Sequence, residues 1–476
     1  GAAGTGKTRT MRAVVDGIDK PVVVLAPSAE ASRGVLRSPD GGGFADADTA
    51  ARFLIDERMQ AKARGGVIWV DEAGLLGIRQ LAELFDIAKR QNSRVVLQGD
   101  RRQHGSVERG ATLRVLEEFA GLPVAELRDI RRQRGDYKAA VELLSKGNLL
   151  GGYEKLSKLG WVQEITPEQG NKPLVEAYLA ALDAKKSVLV VAPTHVEGDE
   201  ITADIRAKLK ERGIVSKDDK VVETLVPLGW TQAERGDLQR YDGTEVMQFH
   251  RNSGTFRAGQ RIKVTDWNAG QSFKSPKHFA VYARGSLRLG KGDTVRITAN
   301  GTEKSGRHKL NNGSTYTVAG FTEAGDIRLH NGWVVARDFG HLTHGYVATS
   351  HASQGKTIDL VLIAMSGESL PAINAEQFYV SVSRGREKAV IYSDIPPDQL
   401  REAIQRSDGR KSATELMGQT KHPKKEKGGE KLREFMKRIA CAYRQIREKA
   451  SPAKLREQAS AAIVEQSKKK EWGHER

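Results

Sequence analysis

The chain has 476 residues, a formal net charge of +17, and 38% hydrophobic against 29% charged residues. Such a length allows about three domain-sized units, the composition excludes a wholly disordered or fibrous chain, and the basic balance favours a polyanionic partner. The single cysteine, Cys441, excludes an internal disulfide framework and a cysteine-built zinc site, and no apolar run nears the roughly 20 residues that span a bilayer, so a reducing cytoplasm without membrane insertion is expected.

The chain begins Gly1-Ala-Ala-Gly4-Thr-Gly6-Lys7-Thr8, without an initiator methionine, and reads as a fragment. This octet satisfies G-x-x-x-x-G-K-[ST], in which glycines turn successive backbone N–H groups toward phosphate oxygens and the following helix adds its positive end. Gly1, Gly4 and Gly6 are therefore nucleotide-binding candidates, with Lys7 reaching the β- and γ-phosphates and the Thr8 hydroxyl ligating Mg²⁺. Three short apolar runs follow, Val22–Ala26, Val67–Val70 and Arg94–Leu97, and between the last two, residues 79–90 set Leu81, Leu84, Phe85 and Ala88 at helical spacing. Strands alternating with helices imply a parallel sheet covered on both faces. At the end of the second run stand Asp71, suited to the Mg²⁺ shell, and Glu72, suited to orienting or deprotonating an attacking water. After the third run, Gln103 is placed to sense a γ-phosphate; without the phosphate loop upstream it would read as a polar turn.

A second set of similar elements begins near Val124, opens with a dense arginine group that includes Arg132, and continues through the apolar run 186–193. It resumes with 360–364 and 388–392, beside Tyr379-Val-Ser-Val-Ser-Arg384, whose single arginine suits the neutralisation of transition-state charge from a second sheet. Between them, residues 236–345 alternate Gly-Asp, Asn-Gly and Gly-Gln turns with β-prone runs and read as a small, barrel-like all-β module. Trp267 and Trp333, in this turn-rich stretch, are the tryptophans best placed to stack on bases, whereas Trp69 belongs to a core strand. The units so delimited are 1–123, then 124–235 with 346–400, the insertion 236–345, and a tail from 401. Residues 410–476 carry 19 Lys+Arg against 9 Glu, and an apolar stripe from Leu432 to Ile446 makes this tail a basic helical segment.

In order along the chain, the loop Gly1–Thr8, Leu25-Ala-Pro27-Ser28, Asp71-Glu72-Ala, Gly99-Asp-Arg-Arg-Gln103, Arg132-Gln133, Thr349-Ser-His351-Ala-Ser-Gln354-Gly355 and Ser381-Val-Ser-Arg384 resemble the motifs of RecD-like superfamily-one DNA helicases. Residues 290–357 sharpen the likeness to the helicase region of conjugative relaxases of the TraI/TrwC type. The resemblance implies an α/β fold with two RecA-like motor domains, a small SH3-like barrel inserted in the second, and ATP with Mg²⁺ between the motors. It implies an ATP site made by Lys7, Thr8, Asp71, Glu72, Gln103, Arg132, Gln354, Gly355 and Arg384. Pro27, Ser28, Thr349 and His351 then approach single-stranded DNA. It also implies 5′→3′ unwinding, relaxosome and conjugative-secretion partners, and a bacterial cytoplasm from which the protein passes to a recipient cell. The family's first strand and an upstream glutamine motif would precede Gly1, and no tyrosine cluster or His-x-His pair for DNA nicking is visible; His341 and His344 read as a loop feature. Two other readings compete, a RecD-like repair helicase and a non-catalytic binding module; the intact set Lys7, Thr8, Asp71, Glu72, Gln103 and Arg384 argues for a working motor.

Overall fold

A computed structural model describes residues 1–39, 41–106, 112–267 and 270–407. The basic tail and its Leu432–Ile446 stripe lie outside the described residues. Among the described residues, those up to 106 and from 126 to 407 belong to one compact unit and 112–125 to another. The second of these holds the helix Thr112–Phe119. Helical periodicity marks which face of that helix is buried, at Thr112 and Leu116, but does not name the surface that covers it.

The first sheet is parallel and four-stranded, made of β1 (Val22–Ala26), β2 (Asp48–Thr49), β3 (Val67–Val70) and β4 (Arg94–Leu97), in the order β2-β1-β3-β4. Its central strands β1 and β3 are continuously apolar because both faces are covered. Leu25, Ile68 and Val70 pack with Leu81 and Leu84 of the helix Ile78–Arg90 on one face. Met11, Val24 and Trp69 form the other face. Each such side chain contributes roughly 1.5–3 kcal/mol on burial, so this apolar sandwich holds the strand ends where Asp71 and Gln98 emerge.

The second sheet is also parallel. It begins with β5 (Val162–Glu164) and β6 (Val188–Val191), is interrupted, and closes far along the chain. The interruption opens at β7 (Lys220–Pro227), earlier than the expected 236, because β7 pairs antiparallel with β10 (Phe279–Leu289), its Lys220 opposite Leu289. Gly213 and the run Ser216-Lys-Asp-Asp219 separate the helix His195–Glu211 from β7, but such turns occur between any two elements and do not mark a new layer, so chain order alone keeps β7 with the motor. The interruption is two antiparallel sheets rather than one barrel-like module. With β8 (Val246–Phe249) and β9 (Arg261–Lys263) the first runs β7-β10-β8-β9 around Phe249, Phe256 and Phe279. The second is five-stranded around Val295, Val318 and Leu342. It comprises β11 (Thr294–Ile297), β14 (Thr315–Phe321), β15 (Ile327–Leu329), β16 (Val334–Val335) and β17 (Leu342–His344), while the short pair β12 (Gly301–Thr302) and β13 (Lys309–Leu310) stands apart. The chain then returns through β18 (Val347–Ala348), β19 (Ile358–Met365) and β20 (Gly385–Ser393), giving the parallel order β18-β6-β19-β20-β5.

A buried ion pair ties this insertion to the second sheet's layer. Arg206, on the helix His195–Glu211, holds both oxygens of Asp293 at 2.8 and 2.7 Å, and the Tyr346 hydroxyl donates to Asp293 Oδ1 at 2.7 Å. Asp293 is fully buried, so removing either charged partner would cost about 3–5 kcal/mol.

Candidate nucleotide and strand-contact site

The phosphate loop is shaped by glycines. Gly4 and Gly6 have φ of +76° and +78°, and a Cβ on Gly4 would meet Arg132 Cβ at 2.8 Å, so position 4 excludes any side chain on two counts. Gly6 caps the helix Lys7–Val15, which points its free N–H groups back over the loop. Lys7 Nζ donates to the carbonyls of Gly1 and Ala2 at 3.0 and 3.1 Å, so its charge rests on the loop itself. Thr8 stands half-buried at the start of the same helix.

Asp71 and Glu72 leave the end of β3 side by side. Asp71 is 9% exposed and accepts from Gln98 Nε2 at 2.7 Å and from the Glu72 amide at 2.9 Å. Burial and the neighbouring Glu72 carboxylate push its pKa up to about 6. A carboxylate in that predicament gains from a cation, and together with the Thr8 hydroxyl it supplies the hard oxygen donors that Mg²⁺ prefers. Glu72 adopts φ +49°, an uncommon left-handed conformation for a side chain of this type, and receives Gln354 Nε2 at 3.4 Å from the other sheet's layer. Gly355, at φ +84°, makes the turn that follows Gln354.

The arginines approach from the second layer. The amides of Arg131 and Arg132 both donate to the Gly4 carbonyl, at 2.8 and 3.2 Å, laying this segment directly on the phosphate loop. Arg132 Nη1 donates to Ser383 O at 2.7 Å. Arg384, 2% exposed, sits in the turn between the helix Ala375–Val382 and β20, donating to Val380 O and Ser383 Oγ at 2.9 Å each. Burial lowers the pKa of Arg384, opposed by Glu72, Tyr379 and Asp100. Burial and then Arg384 bring Arg132 down to about 9. A half-buried and a buried guanidinium thus both bond around Ser383, and none of the carboxylate ion pairs among the described residues involves either. Such a pair is suited to a polyphosphate.

Several participants escaped the sequence reading. Tyr379, 1% exposed on the helix Ala375–Val382, accepts from the Ala3 amide at 2.9 Å and donates to Asp100 Oδ2 at 2.9 Å. Asp100 also accepts from Gln103 Nε2 at 3.1 Å, so Gln103 joins the phosphate loop through a tyrosine from the other layer. Gln133 Nε2 donates to the carbonyls of Ser383 and Gly385 at 3.1 and 2.5 Å. His104 stacks on His351 with ring centroids 3.6 Å apart. The signal for Tyr379 was present in its spacing before Arg384, but an apolar stretch gives no reason to pick a tyrosine from it.

The strand-contact candidates divide. Thr349 caps the short helix Ser350–Ser353 by accepting from the Ala352 amide at 3.4 Å, and exposed His351 lies in that helix. Pro27 and Ser28 follow β1, where Ser28 Oγ accepts from the Ala31 amide at 3.1 Å ahead of a π-helical turn, Glu30–Leu36. Among the described residues no hydrogen bond joins Pro27 or Ser28 to the 349–351 turn. Trp267 packs among Phe256 and Phe273 and donates to Gln271 O at 2.9 Å, and one face of Trp333 is taken by His308, with centroids 4.6 Å apart. Neither is the free platform expected. His341 Nε2 donates to Gln248 Oε1, 2.6 Å away, within the antiparallel layers.

A phosphate loop and an acidic strand end from the first layer, met by two arginines from the second, make the arrangement of a P-loop nucleotide site. Residues 1–167 match the family model described as an AAA domain. The chain is 25% identical over 400 residues to the conjugal transfer protein TraA of Rhizobium radiobacter, covering 82% of this chain and 30% of that protein. It is 23% identical over 476 residues to the multifunctional conjugation protein TraI of Escherichia coli, covering 83% and 26%. It is 25% identical over 372 residues to the RecBCD enzyme subunit RecD of Mycolicibacterium smegmatis, covering 75% and 55%. The chain therefore spans less than a third of the length of the conjugation proteins it matches. By these matches the chain is similar to conjugation proteins of the TraA and TraI kind and to RecD, in line with the resemblance to RecD-like superfamily-one helicases that its motifs carry.

Proposed function

We propose that this chain is an ATP-driven translocase on single-stranded DNA, working 5′→3′ as the helicase part of a conjugative relaxase. The observation that carries the reading is the pair of buried Arg384 and half-buried Arg132, neither in a carboxylate ion pair among the described residues, one beside Glu72's field and the other laid on the phosphate loop. In this reading Lys7 leaves the Gly1 and Ala2 carbonyls for the β- and γ-phosphates. Thr8 and Asp71 hold Mg²⁺, which when bound draws charge from the phosphate oxygens. Glu72 takes the proton of the attacking water, and Gln103 and Gln354 orient that water and the terminal phosphate. Arg384 and Arg132 neutralise the charge that develops on the transferred group; Gly1, Gly4 and Gly6 let the loop's amides do the same on the β side.

Movement follows from the two-layer construction. Nucleotide contacts draw the sheets together and hydrolysis releases them, while Pro27 and Ser28 on one layer and Thr349 and His351 on the other grip the strand alternately. Two RecA-like motors at 1–123 and 124–219 with 346–400 make our domain proposal, the inserted module beginning at Lys220 with its five-stranded sheet as the SH3-like part. The conjugation relatives suggest relaxosome and secretion-system partners and a cytoplasmic site of action; no helix of the described residues is long and apolar enough to cross a membrane. The match to RecD favours a second reading, a repair helicase, which the presence or absence of a relaxase domain in the parent reading frame would separate.

Strand displacement tests the proposal. Partial duplexes with a 5′ single-stranded tail should be unwound in the presence of ATP and Mg²⁺, and those with a 3′ tail should not. Equal unwinding of blunt duplexes, or none with either tail, would overturn it.

A further inference from the structure

The loop that carries Gln103 runs directly into a residue that the hydrolysis chemistry does not use. His104 is 6% exposed. Its ring lies flat on that of His351, with centroids 3.6 Å apart and planes within 13°, and its Nε2 is 2.8 Å from Ser350 Oγ. Ser350 and His351 open the short helix Ser350–Ser353, which Thr349 caps and which runs out into Gln354, the residue that reaches Glu72. One turn of chain thus bears two strand-contact candidates at its start and a nucleotide-side residue at its end.

On the nucleotide side the contacts are equally short. The Ala3 amide meets Tyr379, Tyr379 meets Asp100, and Asp100 meets Gln103, at 2.9, 2.9 and 3.1 Å. Contiguity alone does not establish coupling. What distinguishes His104 is its chemistry. Burial, then His351 and Arg384, hold its pKa down at about 3, so the ring is neutral under ordinary conditions and can lie face to face with a second imidazole. It is also the bridge between layers, because His104 follows β4 of the first sheet while Ser350 and His351 follow β18 of the second.

We propose that His104 is the positioning residue that links nucleotide occupancy at Gln103 to the strand-contacting turn 349–351, through its stack on His351 and its contact with Ser350. This inference rests on the translocase reading above. Coupling between two binding sites typically amounts to 5–150-fold in affinity, and it is reciprocal.

The test compares the full chain with His104→Ala and His104→Phe, measuring ATP hydrolysis without DNA, hydrolysis with saturating oligothymidylate, and oligothymidylate affinity in ADP against a non-hydrolysable ATP analogue. His104→Ala should keep DNA-free hydrolysis within about twofold while losing about tenfold of both the stimulation and the nucleotide-dependent affinity ratio. His104→Phe, which keeps a flat ring and loses the Ser350 contact, should fall between the alanine variant and the unsubstituted chain in both. An equal fall in DNA-free and DNA-stimulated hydrolysis would make His104 merely structural and overturn the inference, as would unchanged coupling in both variants. Should alanine collapse the thermal transition, His351→Ala removes the stack from the other side; its affinity ratio must then fall by a similar factor whatever its absolute DNA affinity, or the inference fails. Absence of any DNA stimulation in the unsubstituted chain would instead refute the translocase reading itself and the inference with it.

Discussion

Replacing Arg384 by alanine separates a two-layer motor from a nucleotide-binding fold. In the folded chain its guanidinium is 2% exposed and makes two hydrogen bonds of 2.9 Å, to Val380 O and Ser383 Oγ. Hydrogen bonds from a charged group contribute about 1.5–3 kcal/mol each. Against that loss, alanine relieves a desolvation penalty of several kcal/mol. The two terms oppose, so the net change in stability should stay within about 3 kcal/mol. The kinetic effect is larger. An arginine supplied to a transferring phosphoryl group contributes about 10³–10⁵ in rate, or roughly 4–7 kcal/mol of barrier. Arg384→Ala should therefore bind ATP and DNA nearly normally and turn over slower by orders of magnitude. Arg384→Lys should recover little, because an ammonium lacks the planar fork. The competing explanation, a surface pair with Glu387, is at odds with the geometry, since Glu387 pairs with Lys186. The assay is steady-state ATP hydrolysis with saturating oligonucleotide, beside nucleotide binding and thermal unfolding of the same variant. Near-normal turnover in a stably folded Arg384→Ala would refute the reasoning.

Glu72→Gln should still bind ATP with Mg²⁺ but lose turnover, measured by nucleotide binding against single-turnover hydrolysis, because the amide cannot accept the proton of the attacking water. His341, 2% exposed, has its pKa lowered to about 4 by burial and then Arg261, so the unfolded chain takes up a proton that the folded chain refuses. Its stabilising contribution is therefore full above about pH 6.5 and is lost as pH falls toward about 4, a loss of about 3 kcal/mol. Urea unfolding of His341→Gln across that window should show a shallower acid-side slope than the unsubstituted chain. Removing residues 410–476 should flatten the salt dependence of DNA binding, since each phosphate neutralised adds about 0.9 to the log–log slope on duplex and about 0.7 on single strands, while maximal ATPase stays largely intact; an unchanged slope would assign the tail another role.

What could be read in advance was whatever is local. The phosphate loop and the Asp71–Glu72 pair are contiguous in sequence, and their chemistry follows from residue type and from the strand that carries them. The parallel sheets were legible for the same reason, as continuous apolar runs buried on both faces. What escaped depends on distant parts of the chain. Ala3 meets Tyr379 across 376 positions and His104 meets Ser350 across 246, and no pattern near either residue records the partner. The insertion shows the same limit. β7 reads as one more apolar strand, and only its pairing with β10 reveals that it belongs to an antiparallel layer. Trp267 and Trp333 were drawn toward bases by composition, whereas their rings satisfy local aromatic packing first.

On the proposed function, single-stranded DNA should drive ATP hydrolysis through the Gly1–Thr8 loop. The direct measurement is the rate of ATP hydrolysis with and without oligothymidylate, in the unsubstituted chain and in Lys7→Ala. The account predicts a DNA-stimulated rate in the first and no hydrolysis in the second, because alanine removes the cation facing the β- and γ-phosphates. Hydrolysis by Lys7→Ala at the unsubstituted rate, or a rate indifferent to DNA, would contradict it.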